Sequence, residues 1–320
     1  MATTTNITTT YAGEAAAGYI GTTLRNSPTI HGGGVEVIAN IPYKRVIKRY
    51  QDNGILADAT CDFTPTATIT LDERVLTPKE LQVNLEFCKK DFVDDWESAR
   101  MGFSAWKTVP PEFSTFIMAR IAEQIAASNE QNIWSGNAAS SGQFGGFLSL
   151  FAADANVIDV DSGAITIDAT NVIGEMQKVI AAGISANASL FSSVGQDLHL
   201  YVPTNVWASY LFALGGFASG GLGANGFETR GPNQDFIRMA ELYFAPVKVF
   251  HAPGMTANQM VLARRSNLYF GTGLLADHPR VAILDMEPVD LSQNFRVAAR
   301  FTAGVQYGFG SEIVYYWNAP

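Results

Sequence analysis

Charge is scarce in this sequence. Only 16% of its 320 residues are Asp, Glu, Lys or Arg, against about a quarter in ordinary soluble domains. The chain is nonetheless no disordered polyelectrolyte, because 47% of it is apolar and able to fill a core. Little charge also implies that part of the surface meets protein and not water. The charge that remains sums to −9, which argues against a general polyanion binder and leaves only a local basic patch open.

Cysteine is scarcer still. Cys61 and Cys88 cannot staple a fold of this length. They read as buried free thiols, or as neighbours if they lie on paired strands. No apolar run reaches 18 residues, so no membrane helix is expected. No basic residue precedes Arg25, so neither a secretory nor a transit peptide is expected.

The signatures of chemistry are also thin. His31, His199, His251 and His278 stand at no metal-ligand spacing. There is no GxSxG elbow and no HExxH helix. Asp159-Val-Asp161-Ser-Gly163 opens like a calcium loop, but Thr170 stands where that loop needs a bidentate glutamate. Gly221-Leu-Gly223-Ala-Asn-Gly226 fits GxGxxG, yet glycines precede it and Gly231-Pro232 follows, where a dinucleotide site needs a strand and then a helix. Gly271-Thr-Gly273-Leu-Leu-Ala276 fails likewise, because Asp277-His278-Pro279 ends any helix within about one turn. The expectation is a protein that is not an enzyme, with no catalytic residue, no cofactor and no metal.

What is present is a clear order of parts. Residues 1–40 are rich in Thr, Ala and Gly, carry few charges and hold no periodicity, so they read as an extended arm with a flexible joint at Gly32-Gly33-Gly34. Tyr43–Ile47 and Ala67–Leu71 read as extended, separated by the turn signal Asp52-Asn53-Gly54. Leu81, Val83, Leu85 and Phe87 alternate with polar residues as a half-buried strand. Residues 50–70 hold too few large apolar side chains for a core of their own, so this is a two-stranded excursion in need of support.

Pro110-Pro111 opens the clearest helix, in which Phe113, Ile117, Ile121 and Ile125 recur at i+4. It ends at Ser135-Gly136-Asn137 and spans about 36 Å. Asp168 or Thr170 would cap a helix carrying Val172, Met176, Val179 and Ile180. Leu198–Val202 reads as a buried strand, and a helix from Pro203-Thr204 runs to Gly215. A glycine-rich loop over 215–231 precedes a short helix with Phe236, Met239, Ala240 and Tyr243. Strands are expected at Val247–His251, Met260–Ala263, Val281–Asp285, Phe295–Gln306 and Ile313–Trp317. The fold class is α+β.

Two charge blocks stand out. Lys44, Arg45, Lys48 and Arg49 lie within six residues, and Asp91, Asp94, Asp95 and Glu97 within seven. They read as two solvated faces or, more sharply, as an inter-subunit ion-pair zone, because opposite blocks on one chain favour ordered self-association. A nucleic-acid role for the basic block is weaker, since only Tyr43 and Tyr50 flank it.

This order of parts resembles the major capsid proteins of tailed double-stranded DNA phages, the Hong Kong 97 phage fold. Leu76-Thr-Pro-Lys79-Glu-Leu81-Gln-Val83-Asn leading to Phe87-Cys-Lys89-Lys90 is similar to the stretch that leaves the E-loop in such proteins. Asn267-Leu-Tyr-Phe270-Gly-Thr-Gly-Leu-Leu275-Ala-Asp277, Val281-Ala-Ile-Leu-Asp285 and the strand from Phe295 to Tyr307 resemble their C-terminal half. The resemblance implies an N-terminal arm over 1–40 and an E-loop with its base over 41–95. It implies a P-domain from 96–165 and 279–306, with a spine helix at 111–134, and an A-domain from 166–278 and 307–320.

The resemblance further implies self-assembly as pentamers and hexamers into an icosahedral shell, in the virion after assembly in the host cytoplasm. Portal and scaffolding proteins, and a decoration protein, are the partners it suggests. The double-stranded DNA would be enclosed without sequence-specific binding, and no membrane partner is implied. Two other readings stay open at this point: an encapsulin-type nanocompartment shell, and a nucleotide-using enzyme built on the 215–231 loop.

Overall fold

A computed structural model describes residues 27–53, 58, 61, 68–88, 111–163, 165–193, 197–214, 242–273 and 281–317. The chain divides into two compact units. The smaller comprises Met1–Arg25, Gln82–Ala126 and Ala276–Phe301, and the larger Asn26–Leu81, Ala127–Leu275 and Thr302–Pro320.

The larger unit is organised by a six-stranded sheet. In spatial order its strands are β5 (Ile158–Asp161), β13 (Ile313–Trp317), β9 (Met260–Arg264), β6 (Leu198–Val202), β8 (Val247–His251) and β7 (Leu242–Phe244). The central strands are buried on both faces, as all five residues of β6 show. That is why they read as unbroken apolar runs and not as alternating ones. Helix α4 (Val172–Ala186) lays Val172, Met176, Val179 and Ile180 into this core, and α5 (Thr204–Leu214) adds Val206, Tyr210 and Ala213.

The helix start of α4 differs from the expectation. Asn171 is the N-cap residue, without a side-chain cap bond. Asp168 instead closes a local turn, its carboxylate accepting from the Thr170 amide and hydroxyl and from the Asn171 amide. Its side chain meets the turn before reaching the helix, as short carboxylates do. Tyr243 lies in strand β7 and not in a helix; the rest of that expected helix and the 215–231 loop lie outside the described residues.

Residues 27–41 belong to the larger unit and carry regular structure; residues 1–26 of the expected arm lie outside the described residues. A single-turn helix α1 (Pro28–His31) is followed by β1 (Glu36–Ile38), which pairs parallel with β10 (Leu268–Thr272). Strand β10 in turn pairs antiparallel with the second half of β12 (Asn294–Tyr307), from Leu268↔Tyr307 to Thr272↔Ala303. A three-residue strand carries no readable period, which is why the sequence hides it. The glycine joint is packed, not loose: a Cβ on Gly34 would stand 2.7 Å from the Phe250 ring.

Helix α2 (Pro111–Ser135) is the long helix expected from Pro110-Pro111, with Ile121 and Ile125 buried. Its last turns bury polar residues as well: Asn129, Glu130 and Asn132 are enclosed beside Ile133 and Trp134. Trp134 packs on Phe147 of α3 (Phe147–Ala152) and on Tyr201, and Phe151 of α3 meets Tyr307 and Tyr315. In the smaller unit β11 (Val281–Asp285) pairs antiparallel with the first half of β12, where Phe295, Val297, Ala299 and Phe301 are buried in alternation. A strand is expected there from the sequence, and its alternation is that of a half-buried strand.

Candidate assembly interface

Strands β2 (Arg45–Asn53) and β3 (Thr68–Leu76), which precede β4 (Lys79–Cys88), form an antiparallel ribbon that pairs with no third strand among the described residues. Directly opposed residues share a face, so the register defines two sides. Arg45, Ile47 and Arg49 of β2 stand with Leu76, Arg74 and Asp72 of β3 on one side. Val46, Lys48 and Tyr50 stand with Val75, Glu73 and Leu71 on the other, and Ile69 extends that side further along β3.

Apart from the exposed Arg45 and Asp72, the first side is built into the body of the larger unit. Leu76 is fully buried. Arg49 pairs with Asp72, donates to the Gly308 carbonyl at 3.1 Å and lies 5.9 Å from the Phe309 ring centre. Arg74 pairs with Asp154 and stacks 4.0 Å from the Tyr307 ring centre, while the Tyr307 hydroxyl donates to Asp154 at 2.6 Å. Gln306 donates to the Val75 carbonyl at 3.2 Å. Burial alone pushes the Asp154 carboxyl up. The bonds from Tyr307, the Asn156 amide and Arg74 outweigh it and hold the group well below the usual carboxylate range. Burial, and then the neighbouring Arg74 charge, lower the Arg49 pKa.

The second side is open. Leu71 is 77% exposed, Ile69 58% and Tyr50 51%, with Val46 and Val75 also exposed. Lys48 stands opposite Glu73 in the middle of this apolar stripe. Residues of β strands normally hide one face and wet the other with polar groups. Here the wet face is mostly apolar.

Of the expected contact residues, Lys44, Arg45 and Lys48 are exposed at the ribbon. Arg49 is half-buried and engaged within the chain, as above. Asp91, Asp94, Asp95 and Glu97 lie outside the described residues. Gly271 and Thr272 sit within β10, paired to Gly304 and Ala303, so they form no phosphate loop. His199 is buried, its ring bonded to the Asp197 carbonyl, and burial lowers its pKa. His251 bonds to the Thr204 hydroxyl. Cys61 and Cys88 are both free thiols, and Cys61 is exposed, contrary to the expectation that both are buried. Among the described residues no group of three His, Cys, Asp or Glu is placed to hold a metal, and no helix is long and apolar enough to cross a membrane.

Sequence reasoning missed the apolar outer face and the polar root beneath it. The signal existed: Arg45-Val-Ile-Lys48-Arg-Tyr50 and Thr68-Ile-Thr-Leu71-Asp-Glu-Arg-Val75-Leu put apolar residues on both faces of a ribbon. A second exposed apolar group is the turn between β11 and β12, where Leu291, at φ 60°, is 86% exposed.

No family model matches the sequence, and no curated protein does. Solved structures do match. The capsid of a native GTA particle superposes with a TM-score of 0.59 at 15% identity, covering 93% of this chain and 92% of that one. The capsid of Myoviridae phage XM1 gives 0.57 at 13%, covering 91% and 92%. A structure from Mycobacterium phage Bobi gives 0.56 at 13%, covering 98% and 96%. The fold is therefore that of tailed-phage capsid proteins, the Hong Kong 97 phage fold. It spans nearly the whole chain.

Proposed function

We propose that this chain is the major capsid protein of a tailed double-stranded DNA phage, a subunit that assembles with copies of itself into an icosahedral shell. The carrying observation is the two-sidedness of the β2–β3 ribbon: one side is built into the body, and the other holds five apolar side chains in water. A lone two-stranded ribbon is marginal in stability, and an apolar stripe on it gains by meeting another protein surface. A second copy of the chain is the occupant that fits, since the basic residues Lys44, Arg45 and Lys48 at the ribbon have an acidic counterpart in Asp91, Asp94, Asp95 and Glu97 of the same sequence.

The mechanism is burial of surface between copies, with no catalytic step. Covering one side chain of Leu or Val size is worth about 1.5–3 kcal/mol, and a closed lattice repeats the gain at every copy. Pentamers and hexamers are the assembly units this reading supplies, with portal, scaffolding and decoration proteins as its further partners. A net charge of −9 suits a wall that encloses DNA without gripping it. The shell would stand in the virion after assembly in the host cytoplasm.

Negative-stain electron microscopy of the concentrated protein, with its mass by size exclusion, tests this. Closed shells, tubes or rings of five or six are expected. Particles that hold a cargo enzyme and no genome would instead favour an encapsulin, and saturable nucleotide binding by a monomer would overturn the capsid reading.

A further inference from the structure

Beyond the Gln306 bond to the Val75 carbonyl and the buried Leu76, an arginine on each strand of the ribbon ties it to the body. Arg49 of β2 reaches the Gly308 carbonyl and the Phe309 ring, in the turn between β12 and β13. Arg74 of β3 reaches Asp154, in the turn after α3, and the Tyr307 ring of β12. The register sets the two arginines two residues apart on one face, Arg49 opposite Asp72 and Arg74 opposite Ile47. Like charges so close repel. They are held by carboxylates on either hand, Asp72 and Asp154, and by an aromatic ring under each guanidinium.

This root is an expensive way to attach a ribbon. The Arg49 and Arg74 Nε atoms are both buried without a hydrogen-bond partner. An apolar contact of the same size would hold as firmly. What the polar root adds is direction: planar guanidinium groups, bonded and stacked, fix an angle that greasy contacts leave free. Two such points on two strands resist rotation about the ribbon's long axis, which a single point would permit.

Resting on the shell reading, we propose that the Arg49–Asp72–Arg74–Asp154–Tyr307 cluster is the fulcrum that sets the ribbon's angle to the body. It thereby sets the curvature at which a second copy docks on the outer face. Asp154 is the positioning residue, since it receives both Arg74 and Tyr307. Its role is in the geometry of assembly more than in the stability of the fold.

The test compares wild type with Asp154→Asn and with Tyr307→Phe, which keeps the ring under Arg74 and removes only the hydroxyl. Hydrogen exchange of the unassembled subunit is read together with the diameters of assembled particles. In Asp154→Asn, amides of residues 45–49 and 72–76 should exchange about tenfold faster, while those of α4 and β6 stay unchanged. Its particles should lose their uniform diameter, and Tyr307→Phe should shift in the same sense by less. Unchanged exchange at the root would overturn the proposal, and so would faster exchange with wild-type diameters. A wild type that forms no shells would count against the shell reading instead, and the exchange arm would then decide the fulcrum alone. Should Asp154→Asn not fold, Tyr307→Phe carries both measurements.

Discussion

Glu130 shows how a single residue anchors a segment that the sequence presents as an arm. Its carboxylate accepts from the Ser27 hydroxyl at 2.8 Å, the Thr29 amide at 3.1 Å and the Thr29 hydroxyl at 2.5 Å. The Trp134 ring nitrogen completes the set by donating to Thr29 Oγ1 at 2.8 Å. Burial raises the Glu130 pKa, against the lowering effect of bonds from Thr29, Ser27 and Gly254. A pKa raised on folding means that the folded protein takes up a proton. The buried charge therefore weighs against the fold above the folded pKa, and that cost is relieved as pH falls towards about 4.3. Glu130→Gln removes the charge but turns an amide N–H towards donors that need an acceptor. It should destabilise by about 1–3 kcal/mol, and wild type should gain on it further in urea unfolding as pH is lowered from neutral towards about 4.3. A gap that narrows over that range would show the sign to be wrong. Gly254 is constrained nearby: an added Cβ would stand 2.0 Å from the Glu130 carbonyl oxygen. Backbone on both sides leaves nothing to yield, so Gly254→Ala should cost about 1–3 kcal/mol or more. Calorimetry should record a Tm lower by several degrees, about 2–4 °C per kcal/mol at this size.

At the scale of elements, the ribbon's outer face makes a prediction that separates folding from assembly. Leu71 and Tyr50 face each other across the strands and away from the body. Replacing both with Ser removes apolar area that is already in water, so the subunit should melt within about 0.5 kcal/mol of wild type. Each interface should nevertheless weaken by about 1–3 kcal/mol, roughly tenfold or more in the protein concentration needed for particles. A large fall in melting temperature would show that this face is covered within the chain. The same elements show what a sequence displays. Strand β12 was legible because Phe295 to Tyr307 alternates with Arg296, Arg300 and Gln306, and α2 because its isoleucines recur every four residues. Strand β6 was legible as an apolar run too short for a helix. The root was not: Arg49, Arg74, Asp154 and Tyr307 are brought together over separations of up to 258 residues, 307 minus 49, and no spacing rule encodes such a meeting. The basic block was visible as four charges, but only the pairing register shows that Arg49 turns inward while Lys48 turns out.

At the scale of the whole molecule, two chain segments bear on how copies meet. Ser27 and Thr29 hold Glu130, and Val35 is buried, so residues 27–35 are part of the fold. Deleting residues 1–30 should lower the melting temperature further than deleting 1–24, because only the longer deletion removes the Ser27 and Thr29 anchor. Equal melting of the two truncations would dismiss the anchor. The charge blocks give the sharper experiment. Lys44, Arg45 and Lys48 are exposed, and Arg49 is excluded from the set because its charge is engaged within the chain. Reversing the three to Glu should leave a folded subunit that forms no particles, since like charges would then face one another between copies. Reversal alone, however, could act by adding net charge of six units, from −9 to −15, and so by general repulsion. The compensating change separates the two causes. Reversing Asp91, Asp94, Asp95 and Glu97 to Lys in the same chain restores opposite blocks, and particles should return. Rescue should also be salt-sensitive, as contacts at an exposed rim are screened over about 8 Å at physiological ionic strength. Particles that form normally from the three-residue variant, or that fail to return after the second reversal, would remove the ion-pair zone and leave the apolar face of the ribbon to hold the copies together.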